Sequence, residues 1–209
     1  MEYLESLFVN LKKEKGDINE HLETLKNIAS ECNTVIEFGV RWMVSIFSFA
    51  TSGCTNLLAY DINHPAGFDK YKFDQLEMYC KKYRINFQFF QKDVLLLETI
   101  PECDLLFIDT ISTYFQCKCE LTLFSNKVKK YIVIHDTDLY AEQDEMSVTK
   151  EEWINKYNSN EIIKSIIKFE NNSSGLTKAI NEFLELNPEW EVFEKYTNNN
   201  GLTILKRNS

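Results

Sequence analysis

The apolar runs of this chain close on acids. TVIEFGV carries Glu37 and Gly39 at its end, NLLAYD ends on Asp61, NFQFFQK leads to Asp93, DLLFID ends on Asp109, and KKYIVIHD ends on His135 and Asp136. A carboxylate at the tip of the second strand, about 20 residues beyond a glycine turn, is how doubly wound folds hold a ribose hydroxyl. Gly39 and Asp61 therefore point to a cofactor that contains a nucleoside. Asp109, His135 and Asp136 suggest a second chemistry. Two carboxylates beside an imidazole form a ligand set for a divalent cation. A histidine whose ordinary pKa lies near neutrality can instead act as a general base. The plain structural alternative is that Asp136 caps the turn after its strand and His135 is a satisfied, buried imidazole.

Those tips converge only if the runs are parallel strands of one sheet. The pattern predicts strands at 34–38, 56–61, 86–90, 104–109 and 129–136. Helices are expected between them at 44–53, 68–84 and 113–126, with another at 176–186. An earlier helix starts at the capping-box-like Asp17-Ile-Asn-Glu20, with Leu22, Leu25, Ile28 and Ala29 as its apolar stripe. Strands alternating with helices imply right-handed crossovers and a parallel sheet, whose ligands sit outside the carboxyl ends of the strands. WEVFEKY and LTILKR, joined through Asn198-Asn199-Asn200-Gly201, read as an antiparallel hairpin. From 139 to 174 the alternation breaks. Thr149-Lys-Glu-Glu152 is a second capping-box signature there, and an Asn-Asn-Ser-Ser-Gly turn follows at 171–175. This stretch is expected to be an insertion over the strand tips, a lid or a dimer contact.

A length of 209 residues with 44% hydrophobic content suits a single domain, with residues 1–32 as an N-terminal helical part. Asp and Glu exceed Lys and Arg by 32 to 23, and the resulting charge of −9 disfavours nucleic acid and anionic membrane as partners. The six cysteines, at 32, 54, 80, 103, 117 and 119, are expected to be reduced core thiols. Cys117 and Cys119, two apart on a helix, point to different sides and are not a ligand pair. No signal-like segment leads the chain and no apolar run approaches the ~20 residues of a membrane span, so a cytoplasmic location is expected.

In the order and spacing of IEFGVRWMVS, LLAYDIN, QKDV, DLLFIDTISTY, KYIVIHDT and GLTKAINEFLELNPEWEVFEKYTNNNGLTILKR, from Ile36 to Arg207, the chain resembles the class I S-adenosylmethionine-dependent methyltransferases. The likeness is to the branch of small O-methyltransferases and cephalosporin-hydroxylase-like proteins. It implies a doubly wound, Rossmann-like α/β fold with a seven-stranded sheet of order 3-2-1-4-5-7-6, the last strand antiparallel. By the same resemblance Glu37, Gly39, Val40, Arg41 and Ser45 would meet the methionine end of S-adenosylmethionine. Asp61 would take the ribose, Asp93 and Val94 would flank the adenine, and Asp109 would border the cofactor. Asp109 and Asp136 fall on the positions where metal-dependent relatives hold Mg²⁺ or Mn²⁺, with His135 where an acid is common. Asp109, His135 and Asp136 are then the catalytic candidates, and the acceptor is a small-molecule or glycan hydroxyl. Related sugar methyltransferases read Asp-Gly-Asp-His after the fourth strand; this chain has Asp109-Thr-Ile-Ser112, where Ser112 or Thr113 is expected to cap the next helix.

Two rival readings exist. A nicotinamide-dependent oxidoreductase would need the full G-x-G-x-x-G turn, but positions 41 to 43 are Arg, Trp and Met. A decayed, non-catalytic relative is suggested by Met43, by Ile46 and by the missing Asp-His pair. His64 is expected to line a loop and His21 to be exposed on its helix. Tyr114 is expected to pack its helix, and Trp42 to stand at the cofactor mouth or in the core. The aromatic hairpin and the amphipathic N-terminus suit a homodimer.

Overall fold

A computed structural model describes residues 3–146, 150–157, 160–169 and 174–208. Seven strands form one sheet in the order β3-β2-β1-β4-β5-β7-β6. They are β1 (Thr34–Phe38), β2 (Asn56–Asp61), β3 (Asn86–Gln91), β4 (Cys103–Ile108), β5 (Val128–His135), β6 (Trp190–Tyr196) and β7 (Leu202–Arg207). All neighbouring pairs are parallel except those of β7, which runs antiparallel to both β5 and β6. Sheet order and strand directions are those expected from the sequence.

The central strands are continuous apolar runs because both their faces are covered. Val35, Leu57, Leu105, Phe107 and Val133 pack beneath α1 (Tyr3–Leu11), α2 (Leu22–Ala29), α3 (Ile46–Ala50) and α4 (Ala66–Tyr83). Ile36, Phe38, Leu106, Ile108, Ile132 and Ile134 face α5 (Tyr114–Phe124), α6 (Lys150–Tyr157), α7 (Glu161–Phe169) and α8 (Gly175–Leu186). Helix α5 packs against α8 as well as the sheet, and Cys117 and Cys119 are both buried, as expected of core thiols. All six cysteines are free thiols, and burial pushes up the pKa of each, Cys54 to about 11. Among the described residues no helix is long and apolar enough to cross a membrane.

Three local expectations are corrected. The helix expected over 44–53 is only Ile46–Ala50, because the preceding turn holds Arg41 and Met43 at positive φ (31° and 53°) and the Thr51 hydroxyl bonds back to the Phe47 carbonyl at 2.7 Å. The box at Asp17–Glu20 does not cap α2. A short 3₁₀ turn, Asn19–His21, comes first, and the Glu20 amide donates instead to Asn199 Oδ1 at 2.9 Å. His21 is buried, not exposed. Its Nε2 donates to the Asn198 carbonyl at 2.9 Å, so it ties this turn to the β6–β7 hairpin. Thr149 of the second capping box, and residues 171–173 of the turn before α8, lie outside the described residues.

Candidate functional site

The chain leaves β1 for β2 and β3 on one side, then returns to β4 on the other, so the crevice of the sheet opens at the carboxyl ends of β1 and β4. Gly39 closes that seam. Its φ is +84°, and a Cβ there would fall 2.0 Å from the Asp109 carbonyl oxygen, so only glycine lets the β1 turn and the β4 tip approach this closely. Above the seam lies a cavity of about 520 Å³, bordered by Gly39, Arg41, Trp42, Asp61, Asp93, Val94, Asp109, Thr110, Gln116 and Tyr157. A smaller one of about 160 Å³ shares Gly39, Arg41, Trp42, Asp109, Thr110 and Glu145 with it and adds Asp17, Val40, Ser45, Asp136, Tyr140 and Asn200.

Asp61 reaches the larger cavity, but its carboxylate also ties the glycine turn. Oδ2 accepts from the Val40 amide at 2.8 Å and the Arg41 amide at 2.9 Å, and Oδ1 from the Asn63 amide at 2.8 Å. Asp93 is equally engaged. Oδ1 caps the turn at Leu95 at 3.1 Å, while Oδ2 takes the Tyr157 hydroxyl at 3.0 Å and Lys156 Nζ at 2.9 Å. Helix α6 thus reaches over the tip of β3. Trp42 is 55% exposed, stands edge-on to Phe68 at 4.8 Å between ring centroids, and belongs to the cavity mouth, not the core.

Of the expected cofactor residues, Val40 and Ser45 border only the smaller cavity, and Glu37 borders neither. On β1 it shares a face with Val35, so it turns under α3, is fully buried, and accepts a hydrogen bond from the Ser45 hydroxyl. Burial pushes its carboxyl well above the usual range, against the lowering effect of Ser45, and Asp109 and Asp61 add to the rise.

Asp109, His135 and Asp136 do converge: one ligand atom of each lies within 4.8 Å of the others. His135 Nδ1 is 3.1 Å from Asp109 Oδ1 and 3.4 Å from Asp136 Oδ1. Its Nε2 faces the carbonyls of Asp17 at 3.1 Å and Asn199 at 3.3 Å; carbonyls only accept, so Nε2 carries hydrogen. Burial works to lower the His135 pKa, but the Asp109 and Asp136 carboxylates and the Asn199 carbonyl outweigh it and raise the imidazole to about 9. Burial also raises the Asp136 carboxyl, while the His135 charge and the Ser112 hydroxyl, bonded to Oδ2 at 3.0 Å, pull it down. Among the described residues Asp136 Oδ1 is buried without a hydrogen-bond partner. Asp109 borders both cavities, Asp136 the smaller, and His135 neither.

The remaining candidates are structural. Thr113 caps α5 by accepting from the Gln116 amide at 3.2 Å, and the Tyr114 hydroxyl donates to Glu182 at 2.7 Å. His64 Nδ1 accepts from the Ala66 amide at 3.2 Å in the loop before α4. Sequence reasoning missed Tyr157, Lys156, the half-buried Thr110 and the buried Gln116 and Glu120. Only the last had a legible signal, an acid set between Cys119 and Leu121 in YFQCKCELTLF.

No family sequence model and no curated protein sequence matches this chain. Solved structures do. The O-methyltransferase TomG of Streptomyces achromogenes, involved in tomaymycin synthesis and solved with S-adenosylmethionine, superposes with a TM-score of 0.59 at 8% identity, over 100% of this chain and 91% of its own. An O-methyltransferase of Bacillus cereus, solved with S-adenosylhomocysteine, gives 0.57 at 10% identity over 100% and 92%. The fold is that of the class I S-adenosylmethionine-dependent methyltransferases. The N-methyltransferase NodS of Bradyrhizobium japonicum WM9, with S-adenosylhomocysteine, scores 0.56 at 11% identity over 94% and 90%, so the fold does not choose between oxygen and nitrogen acceptors.

Proposed function

We propose that this chain is an S-adenosylmethionine-dependent methyltransferase acting on a hydroxyl of a small-molecule or glycan acceptor. The observation that carries the reading is the 520 Å³ cavity at the topological switch point, with Asp61 in its wall and a second, smaller cavity joined to it at Asp109. Its size lies within the roughly 300–1,000 Å³ of small-ligand sites. Neighbours of the same fold that were solved with the methyl donor or its product support the choice of cofactor.

In this reading the larger cavity takes the cofactor and the smaller one the acceptor. The sulfur–methyl bond breaks as the oxygen–methyl bond forms in line, the sulfonium becomes a neutral thioether, and the acceptor hydroxyl gives up its proton. Asp109, on the wall between the cavities, is placed to receive that proton. His135, protonated and outside both cavities, positions Asp109 and balances its charge and is not itself the base. Most of the acceleration then comes from positioning, with α6 closing over the adenosine end through Tyr157 and Lys156.

The donor set also fits a divalent ion. The backbone carbonyls hold hydrogen on His135 Nε2, which leaves Nδ1 facing the carboxylates, as a ligating imidazole requires. Among the described residues Asp136 Oδ1 accepts no hydrogen bond and lies 3.4 Å from His135 Nδ1. An imidazole beside two carboxylates suits Mn²⁺ better than Mg²⁺. Held by Asp109, His135 and Asp136, such an ion would lower the pKa of an acceptor hydroxyl.

Calorimetric titration of the purified chain with S-adenosylhomocysteine tests the proposal. No binding at millimolar ligand removes it. Binding without turnover over a panel of hydroxyl acceptors removes the enzyme and leaves a cofactor-binding protein.

A further inference from the structure

Asp93, the acid expected to flank an adenine, already gives three of its about four acceptor positions to the Leu95 amide, the Tyr157 hydroxyl and Lys156. Beside it on the same wall stand Thr110 and Gln116. Behind them, with no exposure at all, lies Glu120.

The hydrogen bonds among these three run in one direction. Gln116 Nε2 donates to Glu120 Oε1 at 2.7 Å, and the Thr110 hydroxyl donates to the same oxygen at 2.8 Å. Among the described residues Glu120 Oε2 is buried without a partner, which leaves it free to hold the proton of a neutral carboxylic acid. Burial raises the Glu120 carboxyl to about 8, against the lowering effect of Gln116 and Thr110, in keeping with that state. A carboxamide has one oxygen acceptor and one nitrogen that only donates. With its nitrogen held by Glu120, Gln116 must offer its oxygen to the cavity, and that oxygen accepts no hydrogen bond from the described residues. Turning the amide over would break this bond and would require the Glu120 proton to sit on Oε1, the oxygen that already accepts from Thr110.

We infer that Glu120 is a positioning residue for cofactor selection: it orients Gln116 so that the Gln116 carboxamide oxygen reads the exocyclic amino group of an adenine base. This rests on the proposed methyl-donor reading and deepens it. A 6-aminopurine presents an N–H to that oxygen. A 6-oxopurine presents a second acceptor and leaves the two oxygens opposed, which costs about tenfold or more in affinity.

The test is calorimetric titration of the full chain with S-adenosylhomocysteine and with S-inosylhomocysteine, for wild type, Gln116→Leu and Glu120→Gln, each checked for folding by circular dichroism. Wild type is expected to favour the adenine compound by about tenfold or more. Gln116→Leu should bring the ratio close to one. Glu120→Gln, which keeps a carbonyl oxygen in the same place, should retain it. A merely structural role would weaken both ligands alike and leave the ratio unchanged. An undiminished ratio in Gln116→Leu, or no preference in wild type while S-adenosylhomocysteine still binds, overturns this inference alone. Failure of wild type to bind either compound overturns the cofactor reading and this inference with it.

Discussion

Replacing Asp61 by asparagine separates the two tasks of that carboxylate. A carboxylate has about four acceptor positions, and the amides of Val40, Arg41 and Asn63 take three of them here, at 2.8, 2.9 and 2.8 Å. Asparagine keeps one oxygen. If it stays beneath Val40 and Arg41, the new amide nitrogen meets the Asn63 N–H donor to donor. One bond to a charged acceptor is lost, at about 1.5–3 kcal/mol, and the two that remain are weakened. A net cost of about 3 kcal/mol lowers Tm by about 6–12 °C in a chain of this size. Cofactor affinity should fall too, by about tenfold or more, because the same change loosens the turn that borders both cavities. Thermal unfolding with and without S-adenosylhomocysteine, followed by calorimetric titration, measures both. A variant with wild-type Tm and wild-type affinity would refute the anchoring of the turn and the ribose reading together.

Stability should also decline as pH rises. The Glu120 carboxyl goes from 4.5 to about 8 on folding. Between those values the folded state holds a proton that the unfolded chain has released, so stability falls across that window by up to about 1.4 kcal/mol per pH unit. Urea unfolding near the two ends of the window should show the decline in wild type and a flatter profile in Glu120→Gln; an unchanged profile refutes it. His135, raised from 6.5 to about 9, contributes fully below 6.5 and loses its contribution as pH rises through 9. A cation competes with the Nδ1 proton, so Mn²⁺ should raise Tm more at mildly alkaline than at mildly acidic pH, and Asp136→Asn should abolish the effect. No Mn²⁺ shift at either pH refutes the metal reading.

The central strands β1, β2, β4 and β5 were legible because they are covered on both faces and read as apolar runs, whereas β3 and β6, partly exposed, were legible from strand-forming residues and the Asn/Gly turn; the acidic ends of the central strands marked the crevice. What the sequence hid was long-range. The bonds from His21 to Asn198 and from Glu20 to Asn199 join positions 177 and 179 residues apart, so no local pattern announced that a capping-box signature would be used to fasten a distant hairpin. Glu37 was misplaced by the two-residue period of its strand. Its position at a strand end suggested the site, but it shares the face of Val35, beneath α3. The latch of Tyr157 and Lys156 on Asp93 spans 64 and 63 positions and carries no motif of its own.

The turn after β1 explains why Asp61 is bound so tightly by backbone. Arg41 and Met43 hold positive φ, at 31° and 53°, where glycine would be at ease and other residues are strained by about 1–2 kcal/mol each. Something outside the turn must keep it in place, and the Asp61 carboxylate does so through the Val40 and Arg41 amides. Side chains at these positions put Arg41 and the neighbouring Trp42 into the cavity wall. A pyrophosphate, which needs bare backbone at close range, would meet them, whereas a sulfonium-bearing nucleoside makes no such demand. The same substitutions that weaken the sequence signature of the turn thus favour a methyl donor over a dinucleotide, and they make the acid at the tip of β2 a structural necessity whether or not it also meets the proposed ribose.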